Sequence, residues 1–172
     1  MSTSPSRSAQ PDVVVTHPNR GKPVVQATRA TVILLLLVSA VLVLVITIGG
    51  SSVLEGAVPV QIGYVVIYLL LALFAARWNR GVLPVSAALA VLLLIFALVA
   101  GPAWFDRDKS GFVQPSIDAG LLGLLTLILI PVQILLVAFA MRGFSQGWNV
   151  ELEQRTPTAG GSGYGDLAPH AA

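Results

Sequence analysis

Charge is what this sequence has least of. Of its 172 residues only 10% are Asp, Glu, Lys or Arg while 55% are apolar, against about a quarter charged in a water-soluble domain. So few charges cannot clothe a surface in water. Cysteine is missing altogether, which excludes disulfides, thiol redox chemistry and thiolate metal sites. Histidine occurs only as His17 and His170, one near each end, so bis-histidine haem ligation and a histidine-based membrane protease have no residues to use. No cofactor is expected. The formal net charge is +2 and the basic residues are scattered rather than clustered, which excludes nucleic acid as a partner.

The few charges are unevenly placed. No Asp, Glu, Lys, Arg or His lies between Arg29 and Glu55, Glu55 and Arg77, Arg80 and Asp106, or Asp118 and Arg142, gaps of 25, 21, 25 and 23 residues. A helix crosses about 30 Å of hydrocarbon with about 20 apolar residues, so each gap holds one crossing and none holds two. A soluble bundle is the competing reading, but its helices would each need a polar stripe. The run Thr31 to Ile48 has only Ser39 and Thr47 as interior polar residues. In lipid a helix satisfies its own backbone, and apolar residues all round are what the solvent requires. The fold class is therefore an all-α membrane protein, a four-transmembrane-helix bundle, with helices over about 30–49, 57–77, 82–103 and 117–142.

The first apolar run is near 20 residues and follows a long lead-in, whereas a signal h-region has about 7 to 15, so a retained helix is expected there. Orientation follows from the bias of Lys and Arg toward cytoplasmic loops. Arg7, Arg20, Lys22, Arg29, Arg77, Arg80, Arg142 and Arg155 fall on one side, and only Arg107 and Lys109 on the other, among Asp106, Asp108 and Asp118. Both termini are thus expected in the cytoplasm of a bacterial cell, with the chain multi-pass in its plasma membrane. Residues 1–29, rich in Ser, Pro, Thr and Gln, and 156–172, rich in Gly, Ala and Pro, read as disordered tails. Between 143 and 155, Phe144, Trp148 and Leu152 recur every four residues and predict a juxtamembrane helix lying in the headgroup region.

Indole rings favour the headgroup level. Trp78, Trp104 and Trp148 all fall near the ends of predicted spans and, with Arg77, Arg80 and Arg142, read as interfacial anchors. The strings Arg77-Trp78-Asn79-Arg80 and Gln146-Gly147-Trp148-Asn149 read the same way. Phe74-Ala75-Ala76-Arg77 is echoed by Phe139-Ala140-Met141-Arg142, which either marks a duplicated two-helix unit or reflects ordinary helix-end chemistry.

No ionisable residue lies inside the spans, so pumps, proton relays and charge-coupled transporters lack the group they depend on. What the spans do carry is a polar layer. Ser39, Tyr68 and Gln133 lie ten, nine and nine residues from Arg29, Arg77 and Arg142, which places all three about 14 Å deep at 1.5 Å per residue. Gln61, Tyr64 and Tyr68 share a face that Ala72 and Ala75 continue. Pro131 frees the carbonyl of Leu127 and predicts a kink. The layer is either a small polar site or packing glue between helices. Ser86, Ala90, Ala97 and Ala100, with Gly120 and Gly123, supply small residues for close helix approach.

The run Asp106 to Gly111 matches the opening of a calcium loop, but its closing carboxylate would fall at Ile117, and Arg107 and Lys109 oppose a cation. A solvated turn leading to Ser116 as N-cap explains the same residues. The expected partners are the lipid bilayer and either another membrane protein or a second copy. The chain is expected to be no enzyme but an accessory or assembly subunit of a membrane complex, or else a small transporter or channel for a neutral or apolar solute.

Overall fold

The structure, a computed structural model, describes residues 13–16, 19–54, 56–107, 111–148 and 152–155, with the two end segments as backbone only. Four helices form it: α1 (Pro23–Gly50), α2 (Val58–Ala76), α3 (Val82–Arg107) and α4 (Ala119–Ser145). Each is long and apolar enough to cross a membrane. They run up and down in a ring, α1 against α2 and α4, α3 closely against α4, and α2 only lightly against α3.

Burial explains why these sequences form a bundle in lipid. On α1, Val25, Thr28, Val32, Leu36, Val43 and Ile46 are buried, a stripe at three- and four-residue steps facing the other helices. The opposite stripe is just as apolar, with Leu34, Val41 and Ile48 between 58% and 62% exposed. A face like that is stable against hydrocarbon and unstable against water. Helix association must then come from fit and hydrogen bonding, since lipid tails are as apolar as leucine.

Small residues make the α3–α4 seam. Ser86, Ala90, Ala97 and Gly101 of α3 are buried, as is Gly123 of α4. A methyl on Gly123 would sit 2.9 Å from the Phe105 ring, and one on Gly101 3.0 Å from Leu127. Ala100, expected in this stripe, stays exposed, because the buried line steps from Ala97 to Gly101.

Helix boundaries differ from expectation where a charge was read as the edge of a span. α1 starts at Pro23 rather than near residue 30: proline at the first helical position suits the missing N–H, and Val25 and Thr28 are buried. Arg29 sits inside the helix because its guanidinium reaches the end of α2. The N-cap of α4 is Asp118, whose Oδ1 accepts from the Leu121 N–H at 2.9 Å, and Ser116 plays no such part. α4 continues through Pro131 to Ser145 and α3 through Pro102 to Arg107.

The predicted juxtamembrane helix over 143–155 does not form. Gly147 has a φ of 58°, Phe144 is exposed and Trp148 fully buried, so the two do not share a face. Leu152–Arg155 is instead a strand, β2, paired antiparallel with β1 (Val13–Thr16), Val13 opposite Arg155 and Thr16 opposite Leu152. The expectation of an unstructured segment over 1–29 is corrected for 13–16 and for 19–29; residues 1–12 and 156–172 lie outside the described residues, as do Glu55, Asp108, Lys109 and Ser110.

Candidate functional site

The structure brings Ser39, Tyr68 and Gln133 into contact from α1, α2 and α4. The Tyr68 hydroxyl donates to Gln133 Oε1 at 3.0 Å, Gln133 Nε2 donates to Ser39 Oγ at 2.8 Å, and Ser39 Oγ donates to the Leu35 carbonyl at 2.7 Å. All three side chains are fully buried. Each of the three side chains donates to an acceptor and the run ends on a backbone carbonyl. Such a chain holds three helices at one register, and none of the three lines either of the two pockets, one between α2 and α3 and one beside it.

The other buried hydroxyls of the spans are closed in the same manner. Thr28, Thr47, Ser86 and Thr126 donate to the carbonyls of Val24, Val43, Val82 and Leu122, four residues back in their own helices, at 2.6–2.9 Å. A water or ion path needs groups turned toward a lumen. These four hydroxyls are turned toward their own helix backbone instead.

At the end of the bundle where α1 and α3 begin, the predicted anchors lock to one another. α2 ends in a pair of bonds from Trp78 N to Ala75 O and Asn79 N to Phe74 O, both 3.1 Å, the Schellman pattern whose left-handed position is ordinarily glycine. Here it is Trp78, with φ 62°, at a cost of about 1–2 kcal/mol. What offsets the strain is the ring. The Arg29 guanidinium lies 4.2 Å above it, Arg20 lies 5.7 Å away, and Trp148 meets it edge-on at 5.9 Å. Arg29 also donates to the Ala75 and Ala76 carbonyls, which places a cation at the negative end of α2.

α4 is tied in at the same place. Gln146 Nε2 donates to Thr28 Oγ1 at 3.1 Å, Asn19 Nδ2 donates to the Gly147 carbonyl at 3.1 Å, and Trp148 Nε1 donates to Gln146 Oε1 at 3.3 Å. Arg80 donates to the Phe144 carbonyl and stacks over its ring at 4.2 Å. The two tryptophan-bearing strings of the sequence thus meet in space. Trp148 packs against Gly143, and at the far end Trp104 packs against Gly50. Both indoles are buried and only Trp78 keeps part of its ring exposed. Arg77 and Arg142 are exposed.

A third feature escaped the sequence. In the half of the bundle away from Arg29, a space of about 430 Å³ that is open on one side lies between α2 and α3, lined by Val43 of α1, Gln61 and Tyr64 of α2, and Leu93, Phe96 and Ala100 of α3. A smaller pocket of about 80 Å³ adjoins it and reaches Trp104 and Thr126. The polar face of α2 was the only signal in the sequence; nothing in the run Leu92-Leu93-Leu94 marks one of its members as lining a void. Asp118, the nearest acidic residue to a calcium-loop closing position, is engaged as an N-cap. No family model, curated protein or solved structure matches this chain.

Proposed function

We propose that this protein is a non-enzymatic accessory or assembly subunit of a plasma-membrane complex, with both termini in the cytoplasm. The observation that carries the reading is the closed interior: the Tyr68–Gln133–Ser39 chain ends on a backbone carbonyl, and the hydroxyls of Thr28, Thr47, Ser86 and Thr126 are bonded within their helices. A layer whose side chains are bonded to one another and to their own helix backbone offers little with which to conduct or transform a solute. What the bundle does have is broad exposed apolar area on all four helices, with α2 and α3 lightly joined, and in a membrane such faces are where another membrane protein can pack. The eight-to-two distribution of Lys and Arg supports the orientation.

A small transporter for a neutral or apolar solute is the second reading, favoured by the void between α2 and α3. Against it stands the sealed layer on the inner side of that void, which leaves no continuation across the bundle. Extraction into mild detergent followed by native mass measurement tests the two. A hetero-complex of fixed stoichiometry supports the subunit; the chain alone, as monomer or homo-oligomer, refutes it. A cytoplasm-only reporter fused after Arg155 gives signal if the orientation is right, and a silent but well-expressed fusion overturns it.

A further inference from the structure

At the end of the bundle where α2 and α4 finish, each of those helices has two arginines: one bonded to helix carbonyls and one without a partner. Arg29 donates to the Ala75 and Ala76 carbonyls of α2, which answers the negative end of that helix. Arg80 does the same for α4, donating to the Phe144 carbonyl and lying over its ring. Arg77 and Arg142 stand beside them, exposed, and among the described residues their guanidinium groups have no hydrogen bond, ion pair or ring contact. They are the last residues of the two echoed strings, Phe74 to Arg77 and Phe139 to Arg142.

Position on the helix decides what can reach them. Residues one and two turns apart share a helix face. Back along α2 from Arg77, that face holds Phe74, Leu73 and Leu70, between 40% and 47% exposed. Back along α4 from Arg142 it holds Ala138 and Leu135, exposed as well. In helices that cross a membrane such faces lie against hydrocarbon, and an acyl chain lying along either of them ends at an arginine near headgroup level. Lipid tails offer a guanidinium nothing, whereas phosphate oxygens match its paired donors. The charge of the chain favours the same contact. This side carries eight Lys and Arg against Asp12, Glu151, Glu153 and Asp166, all in the terminal segments, while the other side has Arg107 and Lys109 against Glu55, Asp106, Asp108 and Asp118.

We infer that Arg77 and Arg142 are two binding positions for anionic phospholipid: an acyl chain packs on the lipid-facing stripe of α2 or α4, and the headgroup phosphate pairs with the arginine at its end. Phosphatidylglycerol presents that phosphate with no cation of its own. Phosphatidylcholine, with the same chains, presents it beside a quaternary ammonium that cancels much of the attraction. Headgroup charge therefore sets the preference, and the apolar stripe sets the place. Because Arg29 and Arg80 already occupy the carbonyls at the two helix ends, a phosphate at Arg77 or Arg142 meets little opposing negative charge there. This inference does not rest on the subunit reading, since bound lipid serves a subunit and a lone bundle alike.

The test uses the full-length protein reconstituted in nanodiscs of equal parts phosphatidylglycerol and phosphatidylcholine with identical acyl chains, then released into mild detergent and weighed with its retained lipid. Wild type is expected to retain up to two lipids, with phosphatidylglycerol favoured about five-fold at each, the ratio given by about 1 kcal/mol per basic residue at a membrane surface. Arg77→Gln and Arg142→Gln are each expected to lose one retained phosphatidylglycerol. The double variant is expected to bring the ratio near one while keeping wild-type helicity by circular dichroism. Arg107→Gln, which lowers the net charge equally at the opposite end of the bundle, is expected to leave the ratio unchanged. No retained lipid in wild type overturns the proposal. A wild-type ratio near one also overturns it, and is what neutralisation of the two arginines by acids of the terminal segments would give. So does a double variant that keeps the wild-type preference, or an Arg107→Gln protein that loses it as far as Arg77→Gln does, which would make net charge alone the cause.

Discussion

Replacing Gln133 by Leu in this bundle does more than delete a polar side chain. It breaks two interhelical hydrogen bonds, to Tyr68 and to Ser39, each worth about 0.6 kcal/mol within a membrane. It also strands the Tyr68 hydroxyl, which is fully buried, and an unpaired buried donor costs about 1–3 kcal/mol. Gln133→Leu is therefore expected to destabilise the fold by about 2–4 kcal/mol. Ser39 contributes little of this, because its hydroxyl keeps the Leu35 carbonyl. Tyr68→Phe alone removes one bond and leaves Gln133 Oε1 without its donor, at a cost of about 2 kcal/mol. In the Tyr68→Phe background, however, Gln133→Leu has no hydroxyl left to strand, removes the unpaired Oε1 as well, and loses only the bond to Ser39. The double variant should then be less destabilised than the sum of the singles by about 3–5 kcal/mol. Reversible unfolding in mixed micelles, with sodium dodecyl sulfate titrated against tryptophan fluorescence, measures all four proteins. Independent sites add to within about 0.3–0.5 kcal/mol; additivity within that margin would refute a continuous chain through Gln133.

The same unfolding assay reads further substitutions. Gly123→Ala places a methyl 2.9 Å from the Phe105 ring and 3.1 Å from Trp104 Cβ and should cost about 1–3 kcal/mol. Gly63→Ala meets nothing within 4 Å and should be neutral or stabilise by up to about 1 kcal/mol; a loss at Gly63 equal to that at Gly123 contradicts the close α3–α4 seam. Asp118→Ala removes the cap of α4 and should cost about 1 kcal/mol, recovered by Asp118→Asn but not by adding a carboxylate nearby through Ser116→Asp. Trp78→Gly relaxes the left-handed turn yet deletes the ring held by Arg29 and Trp148, and a net loss of about 2 kcal/mol is expected; a gain in stability would mean the ring contributes nothing.

The number of spans was legible because charge is excluded from hydrocarbon and the charges of this chain are few. The polar layer was legible for a related reason. Arg29, Arg77 and Arg142 give three helices a common origin, and a depth counted from them brings Ser39, Tyr68 and Gln133 to one level. Counting gives depth but not rotation, and the meeting of the three side chains came only with the packing. Arg29 misled because an arginine at a helix edge and an arginine reaching a neighbouring helix look alike in sequence. Trp78 and Trp148 stand out in the sequence, but nothing in it pairs them: a non-glycine residue at the left-handed position of a Schellman turn leaves no local signature, since tertiary contacts hold it there. The void was signalled by nothing but the polar face of α2. Leu93 and Phe96 would suit lipid equally well, and a gap between α2 and α3 is a property of how four helices fit, which composition does not encode.

Because the chain contains no cysteine, a single introduced thiol reports on its own surroundings, and this gives the most direct test of a closed interior. Ser51, exposed at the end of α1, and Ser39, buried in the layer, are each replaced by Cys and treated in sealed vesicles with a charged thiol reagent, applied from either side. The closed bundle predicts labelling of Ser51→Cys from the outer face and none of Ser39→Cys from either face until the protein is unfolded. Labelling of Ser39→Cys in the folded protein at a rate near that of Ser51→Cys would mean that water reaches the centre of the bundle, and a sealed interior would no longer be tenable.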